Sequence, residues 1–290
     1  MRKFISTLAI ICVVAIAAVT FTACTSPFHF PSINWKFWEK DKGNQTESIP
    51  APISFSTDSW ITITAASESG VAQDYYAIGD EKTVTLTTGE EITLQILDFE
   101  HDNLNGGGKA GITFGMKNLL NTQYCMNSTD TNIGGWNDCD MRTQTMLLLF
   151  SQLPTDLQGV IKTVDKQTYI GDQTTGLVTS ADKLFLFSEE EIYGNTQYGA
   201  FGKSLSTPGN GQASEGFQYE YWNLLNGSSY TPDGKTNRIK LQGTKGTIWY
   251  LRSPGGDAFP ASFCVVLGDG SANRGNAASL TRGVCFGFCV

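Results

Sequence analysis

Few residues in this chain could carry out acid–base or nucleophilic chemistry. Only two histidines occur, and the one in the main body of the chain, His101, stands beside Asp102 in a stretch typical of a turn. A Ser-His or Cys-His arrangement therefore has few ways to form. Carboxylates at Asp130, Asp138 and Asp140 could pair for acid–base catalysis, but their Asn, Gly and Thr neighbours favour turns and helix caps equally well. The sequence predicts no catalytic site, and we do not expect an enzyme.

Metal-ligating residue types are also sparse. No paired C-x-x-C spacing accompanies the two histidines, which argues against a zinc site. The oxygen-rich stretches 101–105 and 130–140 could bind calcium, but neither matches a defined calcium loop. The glutamates at 189–191 follow Ser188 at capping-box spacing, which favours a helix N-terminus over an acidic cluster. We expect no metal and no cofactor.

The first 24 residues resemble a bacterial export signal. Arg2 and Lys3 precede an apolar run over residues 4–23, and the Thr-Ala-Cys at 22–24 resembles a lipoprotein cleavage box. This implies a signal peptide over residues 1–23 and a lipid on Cys24, which would anchor the chain on the extracellular face of the cell membrane. An uncleaved anchor is the alternative, because about twenty apolar residues can span a bilayer.

The cysteine pattern predicts disulfides outside the cell. Apart from the leader and the lipid site, five of the seven cysteines remain, so at least one thiol is unpaired. Cys125 and Cys139 could bridge the Asn- and Thr-rich loop between them. Cys264 is the better partner for Cys285 or Cys289, because these two would lie too far apart on one strand to bridge each other.

A change in pattern separates a tether from a folded domain. Residues 24–54 hold several prolines and scattered aromatics without a period of two or 3.6, which indicates a linker. Residues 55–290 predict one α+β domain with short antiparallel strands, two or three short helices and long loops.

Within that domain, one helix is predicted over residues 141–153, capped by Asp140, and a second from a capping box formed by Thr155 and Gln158 towards Val164. The Gly- and Asn-rich residues 268–279 predict a loop. Alternating or β-branched runs predict strands at 60–64, 83–87, 92–99, 248–251, 263–267 and 284–290.

The C-terminal segment lacks five amino acids altogether. Lys, Gln, Glu, Met and Trp occur 50 times in the chain, all before residue 255, whereas about seven would be expected beyond it at the earlier rate. These are the amino acids whose codons all end in a purine, so pyrimidine-ending codons throughout would leave this gap. Codon-restricted diversification produces such a pattern.

Three motifs stand towards the C-terminal end: Trp249–Pro254 (WYLRSP), Phe263-Cys264 and residues 283–288 (GVCFGF). They resemble the motifs of an uncharacterised family of exported bacterial proteins that ends in LRSP…GVxFGF. Further matching segments lie at 99–102, 110–114, 126–129 and 134–142, so the resemblance covers roughly residues 58–290. Such domains are similar to C-type-lectin-fold proteins, and some resemble the variable proteins of diversity-generating retroelements. In those proteins, adenine-directed mutagenesis rewrites asparagine codons near the C-terminus.

The resemblance implies a C-type-lectin-like domain whose strands at 248–251 and 284–290 display variable side chains between them, over residues 255–282. Gly283, Phe286 and Phe288 would belong to the scaffold, while Trp249 and Arg252 would support the site from behind. The expected ligand contacts are Asp257, Phe259, Leu267, Asp269, Arg274, Asn276, Leu280, Thr281 and Arg282.

Together these features predict a surface-anchored receptor or adhesin that binds a protein or cell-surface glycan noncovalently and is diversified by a retroelement. The alternative is an undiversified cell-envelope lipoprotein with a structural or carbohydrate-binding role. An enzyme on a related fold would need catalytic residues that the sequence does not offer. The net charge of −8 and the absence of a basic patch argue against nucleic acid as a partner.

Overall fold

A computed structural model of the chain describes residues 48–171, 176–194, 215–224, 236–255 and 259–290. All of them belong to one compact unit, residues 43–290. No helix in these ranges is long and apolar enough to cross a membrane. The described residues form short antiparallel sheets with short helices, which confirms the predicted α+β class.

The largest sheet has five strands and joins the two ends of the domain. Its order is β1-β2-β3-β12-β6, and every neighbouring pair is antiparallel. The last strand of the chain therefore lies inside the sheet, so the C-terminal residues belong to the core. The strands are β1 Glu81–Thr85, β2 Glu91–Phe99, β3 Ile112–Met116, β6 Phe185–Leu186 and β12 Phe286–Cys289.

Two paired glycines leave room for an aromatic ring to pack closely against this sheet. Gly287 of β12 lies opposite Gly115 of β3, and a Cβ on Gly287 would lie 2.6 Å from Cζ of Phe187. A Cβ on Gly115 would lie 2.9 Å from the same atom. Because any larger residue would displace this ring, the glycine of the closing FGF motif is a packing requirement.

A second sheet carries the C-terminal hairpin. Its order is β11-β10-β9, with β9 Trp249–Pro254, β10 Ser262–Val266 and β11 Ala272–Ala277. The prediction of a loop over residues 268–279 is wrong for residues 272–277, which form β11. This segment has little strand propensity of its own, but pairing with β10 holds it extended. Two small hairpins complete the sheets: β4 Val164–Tyr169 with β5 Leu177–Asp182, and β7 Leu241–Gln242 with β8 Lys245–Gly246.

The first helix replaces a predicted strand. Residues 60–64 belong to α1, Trp60–Glu68, whose Ser59 side chain caps the N-terminus by accepting from the Thr62 amide at 3.3 Å. Trp60 packs edge-on against Phe114 and Phe288 of the main sheet. This aromatic packing and the cap outweigh the β-branched character of the segment. A single turn, α2 Ala72–Tyr75, follows.

The middle of the chain is helical, as predicted, but two predicted caps are wrong. Asp140 does not cap the helix; its carboxylate accepts from the Ser128 amide at 2.8 Å. Gln158 donates to the Leu153 carbonyl at 2.7 Å, and Thr155 makes no cap. The elements are α3 Gly135–Asp138, a π-helix Met141–Thr145, α4 Met146–Gln152 and α5 Thr155–Val160.

The predicted capping box at Ser188 is confirmed. The Ser188 hydroxyl accepts from the Glu191 amide at 3.1 Å, and the Glu191 carboxylate accepts from the Ser188 amide at 2.9 Å. The remaining described helices are α6 Glu189–Tyr193, α7 Glu220–Leu224 and a 3-10 turn, Thr236–Arg238.

The expectation of disulfides is wrong for the described residues. Cys125, Cys139, Cys264, Cys285 and Cys289 are all free, and only Cys125 is partly exposed. The buried thiols contact main-chain or carboxylate oxygens: Cys139 Sγ donates to the Trp136 carbonyl at 3.3 Å, for example. Burial raises the pKa of Cys139 to about 12. None of the pairings that the sequence left open is therefore formed among the described residues.

Candidate functional site

The expected ligand contacts divide between the two ends of the C-terminal hairpin. Asp269 lies in its turn, where Oδ1 accepts from the Ser271 amide at 3.0 Å and from the Ser271 hydroxyl. Leu267 is half-buried and packs against the core beside this turn. Asn276 lies five positions beyond Ser271 along β11, a span of about 17 Å at 3.4 Å per residue. Leu267 and Asp269 therefore lie apart from Asn276 and from Arg282, which bonds to it.

The other end of the hairpin brings four of the expected contacts into a surface layer. The Arg274 guanidinium lies 5.4 Å from the centre of the Phe259 ring, a cation–π contact. Arg282 Nε donates to Asn276 Oδ1 at 2.9 Å, and Asn276 Nδ2 lies 3.3 Å from Asn273 Oδ1. Asn273 is exposed and was not among the predicted contacts.

The loop after β11 presents Leu280 and Thr281 to solvent, with Leu280 43% exposed. Its backbone is held from below, because the buried Tyr250 hydroxyl lies 2.6 Å from the Ala277 carbonyl and 2.9 Å from the Leu280 carbonyl. Burial raises the pKa of Tyr250, so the hydroxyl remains a donor across the ordinary pH range. Side chains here face water while the main chain is fixed.

A second loop, residues 124–134, completes this surface. Tyr124 bridges to Arg282 through the main chain, and Asp130 Oδ1 accepts from the Ser279 amide at 3.1 Å. Hydrogen bonds from Ser279 hold the pKa of Asp130 below its usual value. Ile133 lies 61% exposed in the same loop. Sequence reasoning missed these residues as contacts, because nothing local links them to a hairpin about 150 positions later.

Asn132 ties the two loops together. Its buried Nδ2 lies 3.0 Å from the Gly255 carbonyl, 3.0 Å from the Ser262 carbonyl and 3.2 Å from the Phe259 carbonyl. The main-chain N–H of Asn132 also donates to the Pro260 carbonyl at 3.1 Å. One side chain thus sets the path of the backbone on both sides of residues 256–258. Two other expected positions, Asp257 and Cys24, lie outside the described residues.

We call this layer of exposed and half-buried side chains the C-terminal surface and define it by these members: Tyr124, Asp130, Ile133, Phe259, Asn273, Arg274, Asn276, Leu280, Thr281 and Arg282. It mixes two arginines and an aspartate with amides and apolar side chains, a combination suited to directional and apolar contacts at once.

A separate cluster of charges is buried in the core. Arg252 forms a two-point ion pair with Glu191, one arm of which measures 2.9 Å, and Lys166 Nζ lies 2.9 Å from Glu191 Oε1. Lys166 also bonds to Asp102 and lies 2.8 Å from the Tyr219 hydroxyl. All five residues are at most 5% exposed. Arg252, which was expected to support the ligand site from behind, is fully buried.

Neighbouring charges determine the direction in which the pKa of each buried acid is shifted. Burial alone would raise the pKa of Asp102, but Lys166 and His101 hold it well below its usual value. Arg252 and Lys166 likewise overcome burial and lower the pKa of Glu191. Glu189 shows the opposite behaviour, because burial and the nearby Glu215 raise its pKa well above normal.

The remaining acidic candidates are engaged in local hydrogen bonds. Asp138 accepts from the Asn137 side chain at 2.6 Å, and Asp140 accepts from the Ser128 amide. In the residues that the structure covers, no group of three His, Cys, Asp or Glu side chains is placed to hold a metal ion.

Residues 111–290 match the family described as a domain of unknown function, DUF6273. The chain belongs to the DUF6273 family. No curated protein and no solved structure matches it. The DUF6273 region begins immediately before β3 and ends with β12, so it includes the hairpin, the 124–134 loop and most of the buried cluster. β1, β2 and Asp102 lie outside it, yet β2 pairs with β3. In this chain, β1 and β2 therefore extend the main sheet beyond the DUF6273 region.

Proposed function

We propose that this DUF6273 protein is an exported binding protein, anchored by a lipid on Cys24 to the outer face of a bacterial cell membrane. Its domain is of the C-type-lectin type, and it holds a protein or a cell-surface glycan noncovalently on the C-terminal surface. Diversification by a retroelement changes the side chains of residues 255–282.

One observation carries the proposal: Leu280 and Thr281 are exposed at the C-terminal surface while the backbone beside them is held by the core. The carbonyl of Leu280 bonds to buried Tyr250. Asn132 fixes the backbone at Gly255 and Ser262 in the same way. A binding site whose side chains change while its shape is kept needs a backbone that the core holds in this way.

The composition supports the diversification. Residues 255–290 lack all five amino acids whose codons end only in purines. Asn273 and Asn276, the residue type that adenine-directed mutagenesis rewrites, lie on β11 of the same surface. An undiversified envelope lipoprotein with a structural or carbohydrate-binding role is the alternative, because it would use the same scaffold.

The coding DNA distinguishes these two possibilities. Diversification requires a reverse-transcriptase gene nearby and a second copy of the codons for residues 255–290 that differs only at adenines. If both are absent, diversification is wrong and the undiversified lipoprotein is retained.

The binding site itself is tested with an array of bacterial and host glycans and a panel of purified surface proteins. We expect Leu280→Asp to abolish binding of any hit, because a charge replaces an exposed apolar contact. Leu147→Asp, which alters an exposed leucine of α4, is the matched control and should bind normally. A hit that Leu280→Asp and Thr281→Arg both leave unchanged would place the site elsewhere.

The anchor is tested by metabolic labelling with a radioactive fatty acid. The parent chain should carry the label and Cys24→Ala should not. A labelled Cys24→Ala chain, or an unlabelled parent, contradicts lipidation.

A further inference from the structure

Lys166 and Asp102 meet in a part of the core that excludes water. Nζ of Lys166 contacts Oδ1 of Asp102, and the two side chains are 2% and 5% exposed. The same Nζ lies 3.8 Å from the centre of the Phe185 ring and 5.5 Å from that of the Tyr219 ring. Contact with Oδ1 also places Nζ beside Cγ of Asp102, the carbon that an amine attacks when an amide bond forms.

Hydrogen-bond donors hold the other oxygen of the Asp102 side chain. Oδ2 accepts from the Thr113 hydroxyl at 2.7 Å and from the Tyr219 hydroxyl at 3.0 Å. Burial raises the pKa of Tyr219 well above its usual value, so this hydroxyl keeps its proton. Two such donors would stabilise the negative charge that develops on Oδ2 when a nucleophile attacks Cγ.

Glu191 is placed to accept the proton that an attacking amine must lose. Its Oε1 lies 2.9 Å from Lys166 Nζ. Arg252 bonds to both oxygens of the Glu191 carboxylate, and although burial opposes it, Arg252 and Lys166 lower the pKa of Glu191. Glu191 is therefore held as a carboxylate, which suits a general base. Asp102, which has no arginine partner among the described residues, is the better group for Lys166 to attack.

We propose that Lys166 and Asp102 condense into an intramolecular isopeptide bond, with Glu191 as the general base. The Lys166 ammonium first passes a proton to Oδ1 of Asp102, which gives a neutral amine and a neutral acid. Nζ then attacks Cγ, and Glu191 takes a proton from the nitrogen and returns it to the departing Oδ1 hydroxyl. The Cγ–Oδ1 bond breaks and one water molecule leaves, so the reaction needs no oxidant, reductant or further reactant.

Removal of two buried charges favours this bond. The resting pair is ionic, since Lys166 and His101 outweigh burial and hold the pKa of Asp102 well below its usual value. A buried ion pair retains much of the free-energy cost of taking two charges out of water, and a neutral amide removes that cost. The charges that remain are balanced, because Glu191 keeps its two-point pair with Arg252.

The bond would cross-link two distant parts of the domain. It joins Lys166 of β4 to Asp102 in the loop after β2, across 64 positions of the chain. Lys166 lies inside the DUF6273 region and Asp102 precedes it. The described residues contain no disulfide, so this would be their covalent cross-link, and it would restrict the unfolded chain as a disulfide does. Its formation is independent of ligand binding at the C-terminal surface.

Mass spectrometry of tryptic peptides tests the bond in the full chain, purified in detergent and denatured before digestion. Trypsin cleaves after lysine, so the bond would block cleavage at Lys166 and link residues 83–109 to residues 163–183. We expect this branched peptide, one water molecule lighter than its two parts, with fragment ions that place the link at Asp102. A parent chain that yields only residues 83–109, 163–166 and 167–183 as separate peptides overturns the proposal. A link to residues 184–203, which contain Glu191, overturns it as well.

The exposed pair of Lys162 and Glu68 is an internal control in the same digest. Its atoms lie 2.5 Å apart, but the two side chains are 36% and 38% exposed, so water keeps the pair ionised. Trypsin should therefore cleave after Lys162. A link between Lys162 and Glu68 would show that such links form during preparation, and would overturn the proposal.

Tyr219→Phe tests the chemistry without removing a charge. The variant keeps the ring that packs on Phe187 and loses a hydroxyl that donates to Asp102. In pulse-labelled cells the branched peptide should form at least about tenfold more slowly than in the parent, because one of two oxyanion donors is missing. Tyr221→Phe, at a half-buried tyrosine nearby, should match the parent. Equal rates in Tyr219→Phe and the parent reject the mechanism, and if Tyr219→Phe does not fold, the parent digest decides.

Discussion

Arg252 and Glu191 form an ion pair in the core that joins β9 to the first turn of α6. Nη2 of Arg252 lies 2.9 Å from Oε1 of Glu191, and Nη1 bonds to the other carboxylate oxygen. The two side chains are 0% and 2% exposed, although the residues are 61 positions apart. The same Glu191 also completes the capping box at Ser188, so one carboxylate joins local and long-range structure.

Removing one partner of this pair should destabilise the fold strongly. Arg252→Met leaves the Glu191 carboxylate buried with one cation fewer, and we expect a loss of about 3–5 kcal/mol in the free energy of unfolding. Urea denaturation measures this loss. Lys162→Met, which breaks the exposed pair with Glu68, should cost less than about 1 kcal/mol. Equal losses in the two variants would show that Glu191 does not depend on Arg252.

Two neighbouring glutamates should affect the pH dependence of stability in opposite directions. The folded pKa of Glu189 lies above its ordinary value of 4.5, so stability falls as pH rises from there towards the folded pKa, by up to about 1.4 kcal/mol per unit. As the pH rises, the free energy of unfolding of Glu189→Gln should therefore increase relative to that of the parent. The folded pKa of Glu191 lies below 4.5, so the parent's advantage over Glu191→Gln should shrink as pH falls below that value.

Urea titrations of the three chains between about pH 3.5 and pH 7 measure these slopes. Slopes of the same sign for both variants would mean that Glu189 is ionised in the folded protein.

The glycine of the FGF motif should not tolerate a methyl group. Gly287→Ala would place Cβ 2.6 Å from the Phe187 ring, and we expect a loss of about 1–3 kcal/mol from overpacking. Gly159→Ala in α5 meets nothing within 4 Å and should raise stability by about 0.5–1 kcal/mol through helix propensity. Thermal unfolding should show shifts of opposite sign, and a neutral Gly287→Ala would refute the packing argument.

The Tyr250 hydroxyl should control the order of the loop at Leu280. Tyr250→Phe removes the hydrogen bonds to the Ala277 and Leu280 carbonyls, at a cost of about 1–2 kcal/mol. Faster hydrogen exchange is expected at residues 278–282. Tyr75→Phe, at an exposed tyrosine, provides the control. If exchange in the loop is unaffected, its backbone is held by other contacts.

The five cysteines should remain thiols in the folded protein. With a Cys12→Ser, Cys24→Ser chain, a thiol reagent should react quickly with Cys125 alone, because the other four are buried. All five should react after denaturation without a reductant. Fewer than five would reveal a disulfide and contradict the described core.

The sequence predicted the features that depend on neighbouring residues. The Ser188–Glu191 capping box spans three positions, and the strands at 92–99 and 284–290 are continuous apolar or alternating runs. Hydrogen bonds and periodicity of this kind operate within one element, so the order of residues is enough to indicate them.

Tertiary contacts decided the remainder. Residues 60–64 carry strand-forming side chains but form a helix, because Ser59 caps it and Trp60 packs on the main sheet. The composition of residues 272–277 predicts a loop, but pairing with β10 makes them the strand β11.

Within the candidate site, the sequence alone determined that residues 255–290 have a biased composition and that apolar motifs flank residues 255–282. Only the tertiary structure decided which side chains share the C-terminal surface. Leu267 and Asp269 lie at the turn of the hairpin, away from Asn276, whereas Asp130 was added from another loop, which buried Asn132 ties to the hairpin. Such contacts join residues more than 100 positions apart, and they depend on how the sheets pack and on which polar groups find partners when buried.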